Sequence, residues 1–209
     1  MEAEAHLFVK YSLIQILMRA HQMQAYVNQI LTRYGHQDAT ISILHTDHPM
    51  YAYAIGCNPV VLPLRGAIYY NSLLDEATFT DAEIQFIIAH EYMHILKNHL
   101  LATTLANGVE ELLKGSENQN YALVDFLKAI LKPGEILIRI QECDADWGAL
   151  EITKNLQSAD TCLRKLVNGN LGLPSHTWEL FHMEIPAMSM EERISELRRR
   201  ENSKHPSAL

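Results

Sequence analysis

The sequence predicts an α+β fold that is mostly helical, with a small sheet of three or four strands between residues 40 and 72. Apolar residues recur at helical spacing up to about residue 35 and again beyond residue 80, whereas residues 40–72 form short runs rich in β-branched and aromatic side chains. A chain of 209 residues with 48% hydrophobic and 20% charged residues suits one domain, 1–209, with a sizeable core.

Residues 1–35 are predicted to form a long amphipathic helix. Apolar side chains recur at helical spacing from His6 to about Tyr34, and Gly35 stands where a helix would stop. The most apolar stretch, Leu7 to Met18, is interrupted by a lysine and is too short to span a membrane. We therefore expect no membrane span, and we expect the apolar stripe to pack on the core or, alternatively, on a partner.

Residues 40–72 are predicted to form the sheet. Proline and glycine separate its β-rich runs, which are Ile41 to Leu44, Tyr51 to Ile55, Val60 to Leu64 and Ala67 to Tyr70. The last run comes shortly before the next helix. As an edge strand it could hold an extended peptide by adding it to the sheet, and as an ordinary strand it would have no such role.

Residues 80–106 are predicted to form the next helix, which has a well-marked start. The order Thr80, Asp81, Ala82, Glu83 is that of a capping box, in which the threonine caps the first turn and the glutamate reaches back to the threonine N–H. A stop is expected at Asn107-Gly108. The apolar residues of this helix predict that it is largely buried.

Within this helix the chain reads His90-Glu91-Tyr92-Met93-His94, the pattern H-E-x-x-H. The two histidines lie one turn and about 40° apart around the axis, so both imidazoles can bind one metal ion. Glu91 lies about 100° from His90, where it can reach a metal-bound water as a general base. On a continuous helix His99 would lie about 180° from His90 and is not expected to be a ligand.

A third ligand is predicted on a later helix, residues 135–156. Hydrolytic zinc sites keep three protein ligands and leave a position for water, and Glu142 is the predicted third ligand. Asp146 lies one turn further on the same face. It is the candidate to accept the other N–H of a metal-bound histidine, with Asp144 as the alternative.

The remaining segments are less informative. Residues 109–132 contain a polar stretch and a short helical pattern, and they are a candidate cover for the cleft. Residues 157–209 are predicted to form C-terminal helices, in which the basic run Arg198 to Arg200 lies among glutamates and is expected to be a solvated face.

Charge and cysteine content exclude some classes of function. A formal net charge of −8 and a pI near 5.7 argue against a nucleic-acid partner, which would need a concentrated cationic face. Three cysteines without framework spacing favour a reducing compartment. Because the acidic N-terminus also lacks the features of a signal peptide, we expect a soluble, cytoplasmic protein.

The two motifs together resemble a known family. His90-Glu91-x-x-His94 followed by Glu142-x-x-Ala145-Asp146 is similar to the gluzincin group of zincin metallopeptidases, most of all to the M48 family that includes the CAAX prenyl proteases and the HtpX proteases. A weaker similarity is to the Lit-type peptidases. The M48 resemblance implies a zincin-like domain in which His90, His94 and Glu142 bind Zn²⁺, Glu91 activates water, and Asp146 supports the site.

The chain also departs from the family pattern. The membrane-spanning segments of the family are absent, and Ile185-Pro186 stands where the family has His-Pro. The residue that stabilises the transition state is therefore open. His182 and Arg193 are its main candidates, and further candidates are His176 and Tyr69.

The combined interpretation is zinc-dependent hydrolysis of a protein or peptide substrate by a soluble metalloendopeptidase. One alternative is a defence or toxin-like protease with a single cellular target. Another is a non-catalytic module in which zinc is structural and the chain binds a protein partner. The sequence leaves the substrate, the cleavage preference and the oligomeric state open.

Overall fold

The computed structural model of the chain describes residues 2–46, 52–58, 63–71, 74, 79–100, 133–168 and 189–204. In chain order the elements are α1 (Glu2–Arg33), β1 (Thr40–His45), β2 (Ala52–Cys57), β3 (Arg65–Tyr70), α2 (Asp81–Leu96), α3 (Pro133–Thr153), α4 (Leu156–Asn168) and α5 (Met190–Lys204). The described part of the chain is thus mostly helical with a three-stranded sheet, which confirms the predicted α+β class. No helix in these ranges is both long enough and apolar enough to cross a membrane.

Helix α1 ends where the sequence predicts. Gly35 has φ +75°, and the N–H groups of Gly35 and His36 bond to the carbonyls of Thr32 and Leu31 at 3.2 and 2.9 Å. This is a Schellman motif, which needs a residue that tolerates the left-handed conformation. The helix begins at Glu2, within the predicted range, and it packs on β1 and α2 through buried residues that include Met23 and Val27.

The sheet has the order β1-β3-β2, with β3 parallel to β1 and antiparallel to β2. The suggestion that Ala67 to Tyr70 forms an edge strand is therefore wrong, because β1 and β2 occupy both edges of β3. Strand order depends on contacts between distant segments, which short-range patterns do not report. Of the fourth predicted run, Val60 to Leu64, residues 60–62 lie outside the described ranges, and residues 63 and 64 are not in a strand.

The inner face of the sheet packs on α2. Ile68 and Tyr70 are fully buried there, and Gly56 and Gly66 are paired in the register of β2 and β3. A Cβ atom on Gly66 would lie 2.8 Å from Ile95 Cδ1 of the helix. The absence of side chains at this pair therefore lets β2 and β3 approach α2 closely.

Helix α2 begins at the predicted capping box. The Glu83 N–H donates to Thr80 Oγ1 at 3.3 Å, and the Thr80 N–H donates to Glu83 Oε2 at 2.7 Å. Lys165 of α4 also bonds to Glu83 Oε2 at 2.7 Å. The start of α2 is thus fixed by its own capping box and by the charge of Lys165 from α4.

Helix α2 ends at Leu96, so the prediction that it continues to residue 106 is wrong. Asn98 adopts φ +58°, which breaks the helix. Its side chain accepts from the Asn58 N–H at 2.6 Å and donates to the Asn58 carbonyl at 3.0 Å. Asparagine tolerates the left-handed conformation better than most residues, and the loop after β2 holds it there.

Helix α3 lies against α2 at a glycine. A Cβ atom on Gly148 would lie 2.6 Å from Met93 Cγ and 2.7 Å from its Sδ, so any side chain at this approach of the two helices would force the Met93 side chain to move. The close packing of α3 on α2 brings the acidic residues of α3 beside the histidines of α2.

Candidate metal centre and active site

The three predicted ligands meet between α2 and α3. His90 and His94 lie one turn apart, and their Nε2 atoms are 2.9 Å from each other. Glu142 Oε2 is 3.5 Å from His90 Nε2, and Glu142 Oε1 is 3.4 Å from His94 Nε2. One ligand atom of each residue lies within 4.8 Å of the others, so these three side chains could hold one metal ion.

The donor atoms fit zinc. Two imidazole nitrogens and one carboxylate oxygen form a three-ligand set that leaves a coordination position open, as in hydrolytic zinc sites. The side chains of His90, His94 and Glu142 are 12, 18 and 32% exposed, so the group lies at the edge of the core with access from outside.

Asp146 supports the first histidine. Its Oδ1 lies 2.9 Å from His90 Nδ1, the ring nitrogen that faces away from Glu142, and its side chain is 1% exposed. Asp146 therefore lies beside the nitrogen of His90 that points away from the group of possible ligands. The alternative, Asp144, instead accepts from Lys97 Nζ at 2.7 Å.

Arg193 of α5 joins the two acidic residues of the site. Its Nε and Nη2 donate to the two Asp146 carboxylate oxygens at 2.6 Å each, and its Nη1 lies 3.2 Å from Glu142 Oε2. The residue is 9% exposed. The guanidinium is thus engaged by Asp146 and Glu142, which orients both carboxylates.

Glu91 lies on the side of α2 that faces the sheet. The Ala54 N–H of β2 lies near its carboxylate and favours the charged form. β2 has β3 on one side, so it lies at an edge of the sheet that the described strands form.

The family model of peptidase family M48 matches residues 17–207, a span that includes every residue of the site. The chain belongs to peptidase family M48. Comparison of the chain with curated proteins and with solved structures finds no match. Membership makes the protein a peptidase, a hydrolase that acts on protein or peptide substrates, and it confirms the resemblance carried by the two motifs.

The charges of this M48 site balance one another. Burial lowers the pKa of His90, but Asp146 and Glu142 outweigh it, so that these side chains together raise the pKa to about 10. Burial alone would raise the pKa of Glu142, yet His90, Arg193 and His94 hold it well below its usual range. The pKa of Asp146 is likewise lowered, against the effect of burial, by Arg193 and His90.

Glu91 shows the opposite shift. Burial raises its pKa, the charges of His90 and Arg193 oppose that effect, and Glu142 adds to it. The resulting pKa is about 7. A carboxyl group with this pKa exchanges a proton near neutral pH, which suits a general base.

His99 lies beside His94, although helical spacing predicts it on the opposite side of the helix. Because α2 ends before Asn98, the chain turns and sets His99 Nδ1 3.1 Å from His94 Nδ1. The signal that could have revealed this is Asn98, a residue that tolerates the left-handed conformation and can end a helix. His99 does not belong to the group of three possible ligands.

The remaining candidates are placed as follows. Tyr69 stacks on Tyr53 of the neighbouring strand, with ring centroids 4.9 Å apart. His176, His182 and the 109–132 segment lie outside the described residues.

Proposed function

We propose that this M48 peptidase is a zinc-dependent endopeptidase in which His90, His94 and Glu142 hold the metal. The observation that carries the proposal is the convergence of two Nε2 atoms and one carboxylate within 4.8 Å, beside a glutamate whose pKa is about 7. Zinc bound there would lower the pKa of a bound water and polarise the scissile carbonyl.

Glu91 is the proposed general base. Its carboxylate accepts a proton from the attacking water and then returns the proton to the amine nitrogen of the departing peptide. Its half-buried setting keeps the group protonatable near neutral pH, as proton transfer in both directions requires.

The other side chains position the ligands. Asp146 lies 2.9 Å from His90 Nδ1, so a proton held on Nδ1 leaves the Nε2 lone pair directed at the metal site. Arg193 holds Asp146 and contacts Glu142. With its guanidinium engaged by these carboxylates, Arg193 is better suited to positioning than to binding the scissile carbonyl, and we retain His182 as the proposed transition-state helper.

Among the described strands β2 lies at an edge of the sheet, and this edge is the proposed binding surface for the substrate backbone. β2 takes this role in place of β3, because β3 is the central strand of the sheet. An extended peptide added to this edge would run past Glu91, because the Ala54 N–H of β2 lies near the Glu91 carboxylate.

Metal content and hydrolysis test the proposal together. Elemental mass spectrometry of the purified chain should give about one zinc per chain, and the His94→Ala and Glu142→Ala variants should lose it. Glu91→Gln should keep the metal and the fold, and it should lose about 10²- to 10⁴-fold in peptidase rate.

The result that would overturn the proposal is a reconstituted wild-type chain without zinc, or a Glu91→Gln variant that retains full activity. If neither the wild type nor the Glu91→Gln variant cleaves casein, cell lysates treated with each of the two proteins are compared. Cleavage of one protein by wild type, absent with Glu91→Gln, would identify a protease with a single target. A zinc-loaded wild type that cleaves nothing would indicate the non-catalytic module.

A further inference from the structure

The two histidines of the site have different partners on their second ring nitrogens. His90 Nδ1 faces the carboxylate of Asp146 at 2.9 Å, whereas His94 Nδ1 faces another imidazole, that of His99, at 3.1 Å. The rings of His94 and His99 are nearly perpendicular, with an interplanar angle of 81° and centroids 4.8 Å apart. The two Nδ1 atoms are within hydrogen-bond distance, and the tautomers decide which of them donates.

The protons on these rings follow from the role of His94. Its Nε2 is the nitrogen that lies beside His90 Nε2 and Glu142, at 2.9 and 3.4 Å, so Nε2 must keep its lone pair to bind a metal. A neutral imidazole then carries its single proton on Nδ1. His94 Nδ1–H donates to His99 Nδ1, which must be the acceptor.

The acceptor role fixes the tautomer of His99 in turn. With Nδ1 as acceptor, its proton is on Nε2, and Nε2 lies 3.6 Å from Asp144 Oδ2. At this distance the two atoms interact electrostatically but do not form a hydrogen bond. The negative charge of Asp144 favours the tautomer of His99 that carries its proton on Nε2. Lys97 fixes Asp144 with contacts of 2.7 Å to both carboxylate oxygens.

The backbone around His99 is held independently of the metal ligands. The turn at Lys97 and Asn98 is closed by two hydrogen bonds between the Asn98 side chain and the Asn58 backbone, at 2.6 and 3.0 Å. Gln141 of α3 donates to the His99 carbonyl at 3.3 Å. His99 is 7% exposed, so its ring is fixed by the core as well.

We propose that His99 is a positioning residue that holds His94 in the tautomer and orientation required for metal binding, with Asp144 selecting the tautomer of His99. The proposal rests on the proposed function, because it assumes that His94 is a zinc ligand. The turn that ends α2 then has a role in the site, because it places His99 beside His94. The loss of a supporting partner of a metal-bound histidine typically costs 10- to 100-fold in metal affinity.

The test compares three substitutions of His99. In His99→Asn the amide oxygen can replace Nδ1 as the acceptor, in His99→Gln the longer side chain displaces that oxygen, and in His99→Leu the acceptor is absent. The zinc dissociation constant is measured by competition with a chromophoric chelator. The visible spectrum of the Co²⁺-substituted protein reports the ligand geometry directly. His36→Leu, in the loop after α1, is the matched control for loss of a histidine.

We expect His99→Leu to weaken zinc binding about 10- to 100-fold and to change the Co²⁺ spectrum. His99→Asn should recover most of the affinity, and His99→Gln should recover little. If His99→Leu does not fold, the comparison of His99→Asn with His99→Gln decides the question. A solely structural role would lower the thermal midpoint of the chelated protein and leave zinc affinity unchanged.

Failure of the proposed role of His99 and failure of the proposed zinc site would give different results. Wild-type affinity for zinc in His99→Leu, or equal affinities in the Asn and Gln variants, would overturn the role of His99 and leave the zinc site standing. Absence of zinc binding by the wild type would overturn the proposed function itself.

Discussion

Arg193 and Asp146 form a buried two-point ion pair, in which Nε and Nη2 of the arginine each lie 2.6 Å from a carboxylate oxygen. The pair connects α5 to α3 across 47 residues of sequence. Because the same carboxylate faces His90 Nδ1 at 2.9 Å, the C-terminal helix is coupled to a proposed metal ligand through one side chain.

Replacing Arg193 by methionine should destabilise the protein. The Asp146 carboxylate would lose its main counter-charge inside the core, and removing one partner of a buried pair costs about 3–5 kcal/mol in the free energy of unfolding. Urea denaturation measures this change. Arg199→Met is the control, since Arg199 pairs with Glu196 on the exposed side of the same helix and should have little effect. Equal losses in the two variants would contradict the prediction.

Replacing Gly148 by alanine should separate α3 from α2. The new Cβ would meet Met93 Cγ and Sδ at 2.6 and 2.7 Å, and overpacking of this kind costs about 1–3 kcal/mol in the free energy of unfolding. Zinc affinity should also fall, because Glu142 moves with α3. A double-mutant cycle with Met93→Ala should show compensation, since the smaller side chain makes room. Additive losses would argue against this contact as the cause.

Glu91→Gln should stabilise the chelated protein, and the gain should grow with pH. The folded-state pKa of Glu91 is raised from 4.5 to about 7, so folding disfavours the charged carboxylate. In the wild type this penalty is absent below pH 4.5, develops as pH rises between 4.5 and 7, and is complete above 7. The amide carries no charge and therefore has no such penalty.

The measurement is the difference in thermal midpoint between chelated Glu91→Gln and chelated wild type at pH 5 and pH 8. The larger difference is expected at pH 8. A difference that is constant across this range would show that the environment of Glu91 does not disfavour its charge. Gln85→Glu makes the reverse change at an exposed position of the same helix, and it shows how much the midpoint shifts when one charge changes outside the site.

His182→Gln should lower kcat without loss of zinc. If His182 stabilises the oxyanion, its removal costs about 10²- to 10³-fold in rate, as for other donors of this kind. His176→Gln is the matched control from the same segment, and it tests the other histidine that is a candidate for stabilising the transition state. An unaffected kcat in His182→Gln, with a large fall in His176→Gln, would transfer the role to His176.

The parts of the fold that the sequence predicts depend on neighbouring residues. Thr80 and Glu83 form their capping box within one turn, and Gly35 ends α1 through bonds to residues just before it. The H-E-x-x-H pattern and the Glu142 to Asp146 spacing also act within a single helix. Their geometry follows from helical periodicity alone.

The parts of the fold that the sequence does not predict depend on distant residues. The end of α2 needs Asn58, forty positions before Asn98, to hold the left-handed turn. The central position of β3 depends on the pairing of three separate strands. Helical spacing cannot report such contacts, so His99 was placed on the wrong side of a helix that does not continue.

The position of Arg193 also has a consequence for the order of events during translation. A ribosome produces α2 and α3 before α5, so the growing chain carries Glu142 and Asp146 for some time without the guanidinium that joins them. The hydrolytic centre is therefore completed only after α5 has left the ribosome.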